Sequence, residues 1–177
     1  MSASTEFVSH SQAGQDAWVY SMFPPSHKGT FWDIGCSHPV EINNTYALER
    51  IGWNGLLLDM DDVGELANKT RSSRFIQADA TKFDWSGYTQ CHYPVDYLSL
   101  DVDSATFDAL RNIPFERQRF NVLTVEHDRY RFGPEIAAKI RSHLIFFGYR
   151  IERLDVTSEG FPFEDWWVHE SFTPYVP

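Results

Sequence analysis

The residues best suited to chemistry in this chain are acids that end short apolar runs. Asp33 lies in Phe31-Trp32-Asp33-Ile34-Gly35-Cys36-Ser37-His38-Pro39, Asp59 closes Gly55–Asp59, and Asp79 follows Phe75–Ala78. Asp101 and Asp103 come after Val95–Leu100, and Glu126, His127 and Asp128 come after Phe120–Val125. Open α/β sheets bind ligands beyond the carboxyl ends of their strands, where strand order reverses. If the runs are neighbouring parallel strands, all of these groups meet at one edge. Asp59 stands about 20 residues beyond the first turn, where a carboxylate accepts hydrogen bonds from both hydroxyls of a ribose. Asp61 is the near alternative. Asp79 is placed to reach an adenine amino group. Each acid alone also makes a good cap or solvated turn residue; three in successive turns favour a shared ligand.

Gly35 allows close approach of backbone to that ligand, because no Cβ intervenes. The full G-x-G-x-x-G is absent, since Ser37 and His38 stand where further glycines would be. Methionine and adenosine carry no pyrophosphate, so S-adenosylmethionine is favoured over a dinucleotide. The expected cofactor set is Gln12, Asp33, Gly35, Cys36, His38, Asn44, Thr45, Asp59, Met60, Asp79, Ala80 and Asp101. Asn43, Asn44 and Thr45 open a helix whose first N–H groups suit the methionine carboxylate. His38 either bonds the cofactor or acceptor, or packs on Pro39.

Methyl transfer needs an acceptor lone pair aligned with the methyl–sulfur bond. A hydroxyl acceptor also needs a base or a metal to help remove its proton. Asp101, Asp103, Glu126 and His127 are the catalytic candidates. In one reading, His127 or a carboxylate is the general base. In the other, Asp101 or Asp103 with Glu126 holds Mg²⁺ or another divalent cation, for which oxygen ligands are suited. The plain alternative is that Asp103 caps a helix with Ser104 while His127 packs in a turn.

The elements that must position these groups alternate along the chain, as in a parallel sheet covered on both faces. Strands are expected at Thr30–Ile34, Gly55–Asp59, Phe75–Ala78, Val95–Leu100, Phe120–Val125, Tyr149–Val156 and Glu164–Glu170. Only a loop separates the last two, which should therefore pair antiparallel. Helices are expected at Glu41–Ile51, Asp61–Arg71, Ser104–Asn112 and from Pro134 to Gly148, the last with Ile136, Ile140, Leu144 and Phe147 on one face. Gln12 and Asp16 belong to a helical segment within residues 1–28 that covers the cofactor. Trp166 and Trp167 read as core. Trp85, Tyr88 and Tyr93, in the irregular stretch Thr81–Pro94, read as a stacking platform for a sugar.

Composition narrows the class. The chain has 177 residues, enough for one domain with a real core. A net charge of -10 without a basic patch disfavours nucleic acid. Cys36 and Cys91 form no disulfide or metal pattern. Residues 1–7 show no signal peptide, and no apolar run approaches a membrane span. These features point to a cytoplasmic protein with a small acceptor. No cap domain is inserted, so either the groove is shallow or a second copy completes the site as a homo-oligomer.

The chain resembles the FkbM-type methyltransferase family. The matching pieces are Ser11-Gln12-Ala13-Gly14-Gln15-Asp16, Asp33-Ile34-Gly35 with His38-Pro39, Asn44-Thr45-Tyr46, Gly52-Trp53-Asn54-Gly55, Leu98-Ser99-Leu100-Asp101-Val102-Asp103, Val125-Glu126-His127 and Glu164-Asp165-Trp166-Trp167. The resemblance implies an α/β, Rossmann-like class I methyltransferase fold. Its sheet would have seven strands, mostly parallel with an antiparallel last strand, and helices on both faces. It also implies S-adenosylmethionine as cofactor and O-methylation of a sugar, glycan or polyketide. Cys36-Ser37 and Asp103-Ser104 depart from the family pattern, the latter at positions where substrate should lie. The rivals are a nucleotide-dependent oxidoreductase, disfavoured by the missing glycines, and a non-catalytic relic acting as a binding or scaffold module.

Overall fold

The computed structural model describes residues 7–89 and 94–177. Its strands are β1 (Thr30–Ile34), β2 (Asn54–Asp59), β3 (Arg74–Gln77), β4 (Val95–Leu100), β5 (Phe120–Glu126), β6 (Tyr149–Ser158) and β7 (Phe161–His169). They form one sheet in the order β3-β2-β1-β4-β5-β7-β6. The first five are parallel, and β7 runs antiparallel to both β5 and β6. The central strands read as apolar runs because both faces are covered, and β5 is buried along its whole length.

Six helices cover those faces: α1 (Gln15–Ser21), α2 (Tyr46–Arg50), α3 (Gly64–Thr70), α4 (Thr106–Asn112), α5 (Arg129–Phe132) and α6 (Pro134–Phe146). On one face Leu110 of α4 and Ile140 and Leu144 of α6 pack over Ile34, Leu98 and Leu123. On the other, Trp18 and Val19 of α1 and Leu48 of α2 pack over Phe31, Leu57 and Tyr97. Adjacent residues of a strand point to opposite faces. Trp167 therefore enters the first cluster and Trp166 the second, each almost wholly buried. Among the described residues, no helix is long and apolar enough to cross a membrane.

Two helices are shorter than the pattern predicts. The first, expected over Glu41–Ile51, begins only at Tyr46. Ile42 adopts a left-handed φ of 49°. The Asn43 side chain accepts the backbone N–H groups of Thr45 and Tyr46 at 3.0 and 2.8 Å, which makes a turn in place of a helical one. The second starts at Gly64 because Asp59 and Asp62 side chains take the N–H groups of Asp61 and Gly64. Gln12 does not lie on a helix, since α1 starts at Gln15.

Among the described residues, the stretch before β4 has one short 3-10 turn, Trp85–Gly87. Trp85 is 3% exposed and stacks on Trp32 with ring centroids 4.5 Å apart. It is thus core, not the stacking platform expected of it. Tyr88 packs against the same cluster. Cys91 and Tyr93 lie outside the described residues.

Candidate functional site

Strand order reverses between β1 and β4, and a cavity of about 590 Å³ opens at their carboxyl ends. Its walls come from the turns after β1, β2, β3 and β4, closed on one side by Gln12 and Gln15. Gly35, at φ 80°, donates its N–H to the Leu58 carbonyl at 2.8 Å. A Cβ there would stand 1.6 Å from the Asp101 carbonyl oxygen. Only glycine fits between the two turns.

Asp59 joins the first two turns. One oxygen accepts from the Ser37 N–H at 2.7 Å and the other from the Asp61 N–H at 2.9 Å. Asp79 accepts from the Thr81 backbone and hydroxyl and from Lys82. The Lys82 hydrogen bond, with those of Thr81, holds the Asp79 carboxyl down to about 2. Met60, 69% exposed, and buried Ala80 complete this end of the cavity. His38 uses Nδ1 to accept the Glu41 N–H at 2.9 Å. Asn44 bonds the Ser99 hydroxyl at 3.0 Å.

Of the twelve residues expected to hold a cofactor, all but Thr45 line the cavity. Thr45 is wholly buried beneath it. Its hydroxyl donates to Asp33 at 2.7 Å and accepts from Arg71 at 2.9 Å. The buried Arg71 guanidinium also bonds the Pro39 carbonyl, the Asn43 side chain and Glu49. Asp33, Asn43, Thr45, Glu49 and Arg71 thus form a buried polar frame under the first turn. Burial raises the Asp33 carboxyl, against the Thr45 hydrogen bond and the Arg71 charge. Burial likewise pushes the Cys36 thiol up. The wall containing Gln12 is tied down twice. Buried Asp16 accepts from the Ser9 and Ser11 hydroxyls and the His10 N–H, while Gln12 donates to the Ser158 hydroxyl at 2.8 Å.

The far end of the cavity is acidic. Asp101 and Asp103 line it, while Glu126, 8% exposed, stands behind Asp101. Burial and the Asp101 charge push the Glu126 carboxyl up to about 11. It is therefore protonated at neutral pH and donates to Asp101. Burial also raises Asp101. Glu164 pairs with Glu126 across β5 and β7, and burial pushes it up to about 8. Asp103 and Asp128, both with left-handed φ, are bridged by Arg131 Nη1 at 2.9 and 2.8 Å. Asp103, Glu126 and Asp128 each bring one oxygen within 4.8 Å of the others, which is close enough to share a cation.

His127 is not brought to this cavity. It follows Glu126 and points to the other face, its side chain fully buried. There Nε2 lies 3.5 Å from both Asp155 and Asp165, and Nδ1 accepts the Arg129 N–H at 3.2 Å. Arg129 and Arg141 complete that ionic cluster. Sequence reasoning placed Asp128 at this edge but assigned no role to Gln15 or Glu164. The antiparallel register of β7 on β5, which sets Glu164 opposite Glu126, is the signal that finds Glu164.

No family model matches this chain, and no curated protein matches it. Solved structures do. A TehB-like SAM-dependent methyltransferase from Corynebacterium glutamicum is 15% identical, with a TM-score of 0.58 over 88% of this chain and 86% of that one. The magnesium protoporphyrin IX methyltransferase from Synechocystis PCC 6803, solved with bound SAM, is 18% identical, with a TM-score of 0.58 over 88% of this chain and 76% of that one. The precorrin-6y C5,15-methyltransferase from Geobacter metallireducens GS-15 is 10% identical, with a TM-score of 0.60 over 97% and 94%. The chain has the Rossmann-like fold of class I methyltransferases.

Proposed function

We propose that this protein is an S-adenosylmethionine-dependent methyltransferase of the FkbM type, acting on a hydroxyl of a small neutral acceptor such as a sugar or glycan. The observation that carries the reading is the cavity itself. It lies at the strand-order reversal, with Gly35 pressed to the Asp101 carbonyl, Asp59 at the end of β2 and Asp79 after β3. These residues fit the cofactor. Asp59 has oxygen lone pairs to spare for a ribose diol, Asp79 is ionised to accept from an adenine amino group, and Met60 offers an apolar surface to the base. His38 and Asn44 stand at the end suited to the methionine carboxylate.

When bound, the cofactor supplies an electrophilic methyl group on sulfur. Asp101 accepts the acceptor's hydroxyl proton, and its raised affinity for protons suits it to that task. Protonated Glu126 steadies the Asp101 carboxylate by donating to it. Exposed Asp103 orients the hydroxyls. Gln12 and Gln15 close the side of the cavity and hold solvent back. Calorimetry with S-adenosylhomocysteine tests the reading directly: a 1:1 binding heat, lost or much reduced in Asp59→Ala, supports it. No heat from the folded wild-type protein overturns it.

A second reading keeps a divalent cation at the acidic end. The buried Glu126 Oε2 has no hydrogen-bond partner among the described residues, and Asp103, Glu126 and Asp128 each bring one oxygen close to the others, which favours it. This set replaces Asp101 of the expected trio by Asp128, and the ion would displace Arg131 from its bridge. Methyl transfer that survives exhaustive chelation would exclude the cation and leave the Asp101 route standing.

A further inference from the structure

Large aromatic side chains are exposed at both edges of the sheet. Phe146 ends α6 just before β6 starts, and Tyr175 lies beyond the end of β7, so both belong to the edge opposite the cavity. Tyr130 and Phe161 belong to the cavity's edge. Tyr130 stands in α5, two residues after Asp128, and Phe161 opens β7, three residues before Glu164. They are 48% and 53% exposed, their ring centroids lie 5.0 Å apart, and neither enters a core cluster. Folding gains little from leaving such a pair in water, and an exposed aromatic patch marks a binding surface.

The neighbours of this pair reach the cavity from both sides. Ser158 faces Phe161 across the hairpin and accepts from Gln12, which lines the cavity. Arg131, next to Tyr130, bonds Asp103, which lines it too. The two rings thus belong to residues whose immediate neighbours touch the cavity wall at Gln12 and at Asp103.

We infer that Tyr130 and Phe161 form the platform that carries the acceptor, and that the acceptor is a neutral pyranoside; this rests on the methyltransferase reading above. Two features select the class. The rings call for an apolar face, which a pyranose presents through its C–H groups. The carboxyls of Asp101 and Asp103, which line the cavity and keep lone pairs beyond those that Glu126 and Arg131 use, accept from hydroxyl donors, and the net negative charge there repels phosphates and carboxylates. A flat phenolic acceptor would satisfy the rings but bring only the one or two hydroxyls on its edge to those carboxyls. A sugar satisfies both.

Saturation-transfer NMR with methyl α-D-glucopyranoside and methyl α-L-rhamnopyranoside, with and without S-adenosylhomocysteine, tests the platform. At least one pyranoside should show transfer to its C–H protons. Tyr130→Ala and Phe161→Ala should each weaken that binding by about 10-fold. Phe161→Trp should retain it, and Phe146→Ala, at the other edge, should change nothing. Unaltered S-adenosylhomocysteine binding in both alanine variants shows that the fold and cofactor end are intact. Absence of transfer from either sugar, or transfer unchanged in both alanine variants, overturns the platform. Catechol binding there in place of both sugars overturns the substrate class. The methyltransferase reading fails separately, on the S-adenosylhomocysteine titration of the wild type.

Discussion

Replacing Gly35 by alanine probes the junction on which the cavity depends. Two costs can be separated. An L residue held at φ 80° costs roughly 1–2 kcal/mol. The new Cβ would also lie 1.6 Å from the Asp101 carbonyl oxygen, 2.6 Å from its carbon and 2.9 Å from Val102 Cγ1. Backbone must retreat by about 1.4 Å to restore a 3.0 Å contact. Such overpacking adds about 1–3 kcal/mol, for a total of about 2–5 kcal/mol. Gly160 provides the control: its φ is 86°, but a Cβ there meets nothing within 4 Å. Gly160→Ala should carry only the first cost. Urea unfolding followed by tryptophan fluorescence compares the two, and calorimetry with S-adenosylhomocysteine reports the cavity. Gly35→Ala should unfold at clearly lower urea than Gly160→Ala and bind the ligand at least about 10-fold more weakly. Equal stability losses with wild-type ligand affinity would refute the reasoning.

Three further outcomes are expected. Asp59→Ala should weaken S-adenosylhomocysteine binding by about 10- to 100-fold, as befits hydrogen bonds to a charged acceptor, with Asp59→Asn intermediate by calorimetry. Arg71→Ala should cost about 3–5 kcal/mol by urea unfolding, because it strands buried Glu49 and Asp33. Arg71→Lys should not rescue it, since one ammonium cannot serve the Pro39 carbonyl, Asn43, Thr45 and Glu49 together. Glu164, pushed up to about 8 from 4.5, keeps its proton in the folded state while the unfolded chain loses it. Its contribution to stability is thus full below about pH 4.5 and declines as pH rises to about 8. Glu164→Gln should gain stability relative to wild type across that window, from near zero at pH 5 to its maximum above pH 8, measured by unfolding at each pH.

The strands were legible because central parallel strands are apolar on both faces, as at Leu56-Leu57-Leu58 and along β5. The turns that follow them were legible too, since Gly35, Asp59 and Asp79, expected to share one edge, line one cavity. What escaped was set by contacts distant in sequence or by side-chain direction. Thr45 does open α2 as its N-cap residue, but its hydroxyl is drawn into a buried frame by Arg71, 26 residues on. Glu126 and His127 were both candidates for this edge; Glu126 stands behind Asp101, whereas His127, just past the end of β5, turns to the other face and meets Asp155, which lies in the irregular register of β6. Trp85 looked exposed because its stretch carries turn residues, yet Trp32 offers it a stacking face. Helix starts were misplaced where Asn43 and Asp62 side chains captured the donors of a first turn.

The place of β7 between β5 and β6 has a consequence for synthesis. On the ribosome β6 is made before β7, yet it has no neighbour in the sheet until Phe161–His169 arrives. Trp166 and Trp167 reach the two sides in that same step, so the layers over both faces are completed together. A nascent chain stopped at Gly160 would hold five paired strands and one orphan, a target for chaperones. The closing segment of this polypeptide is its keystone.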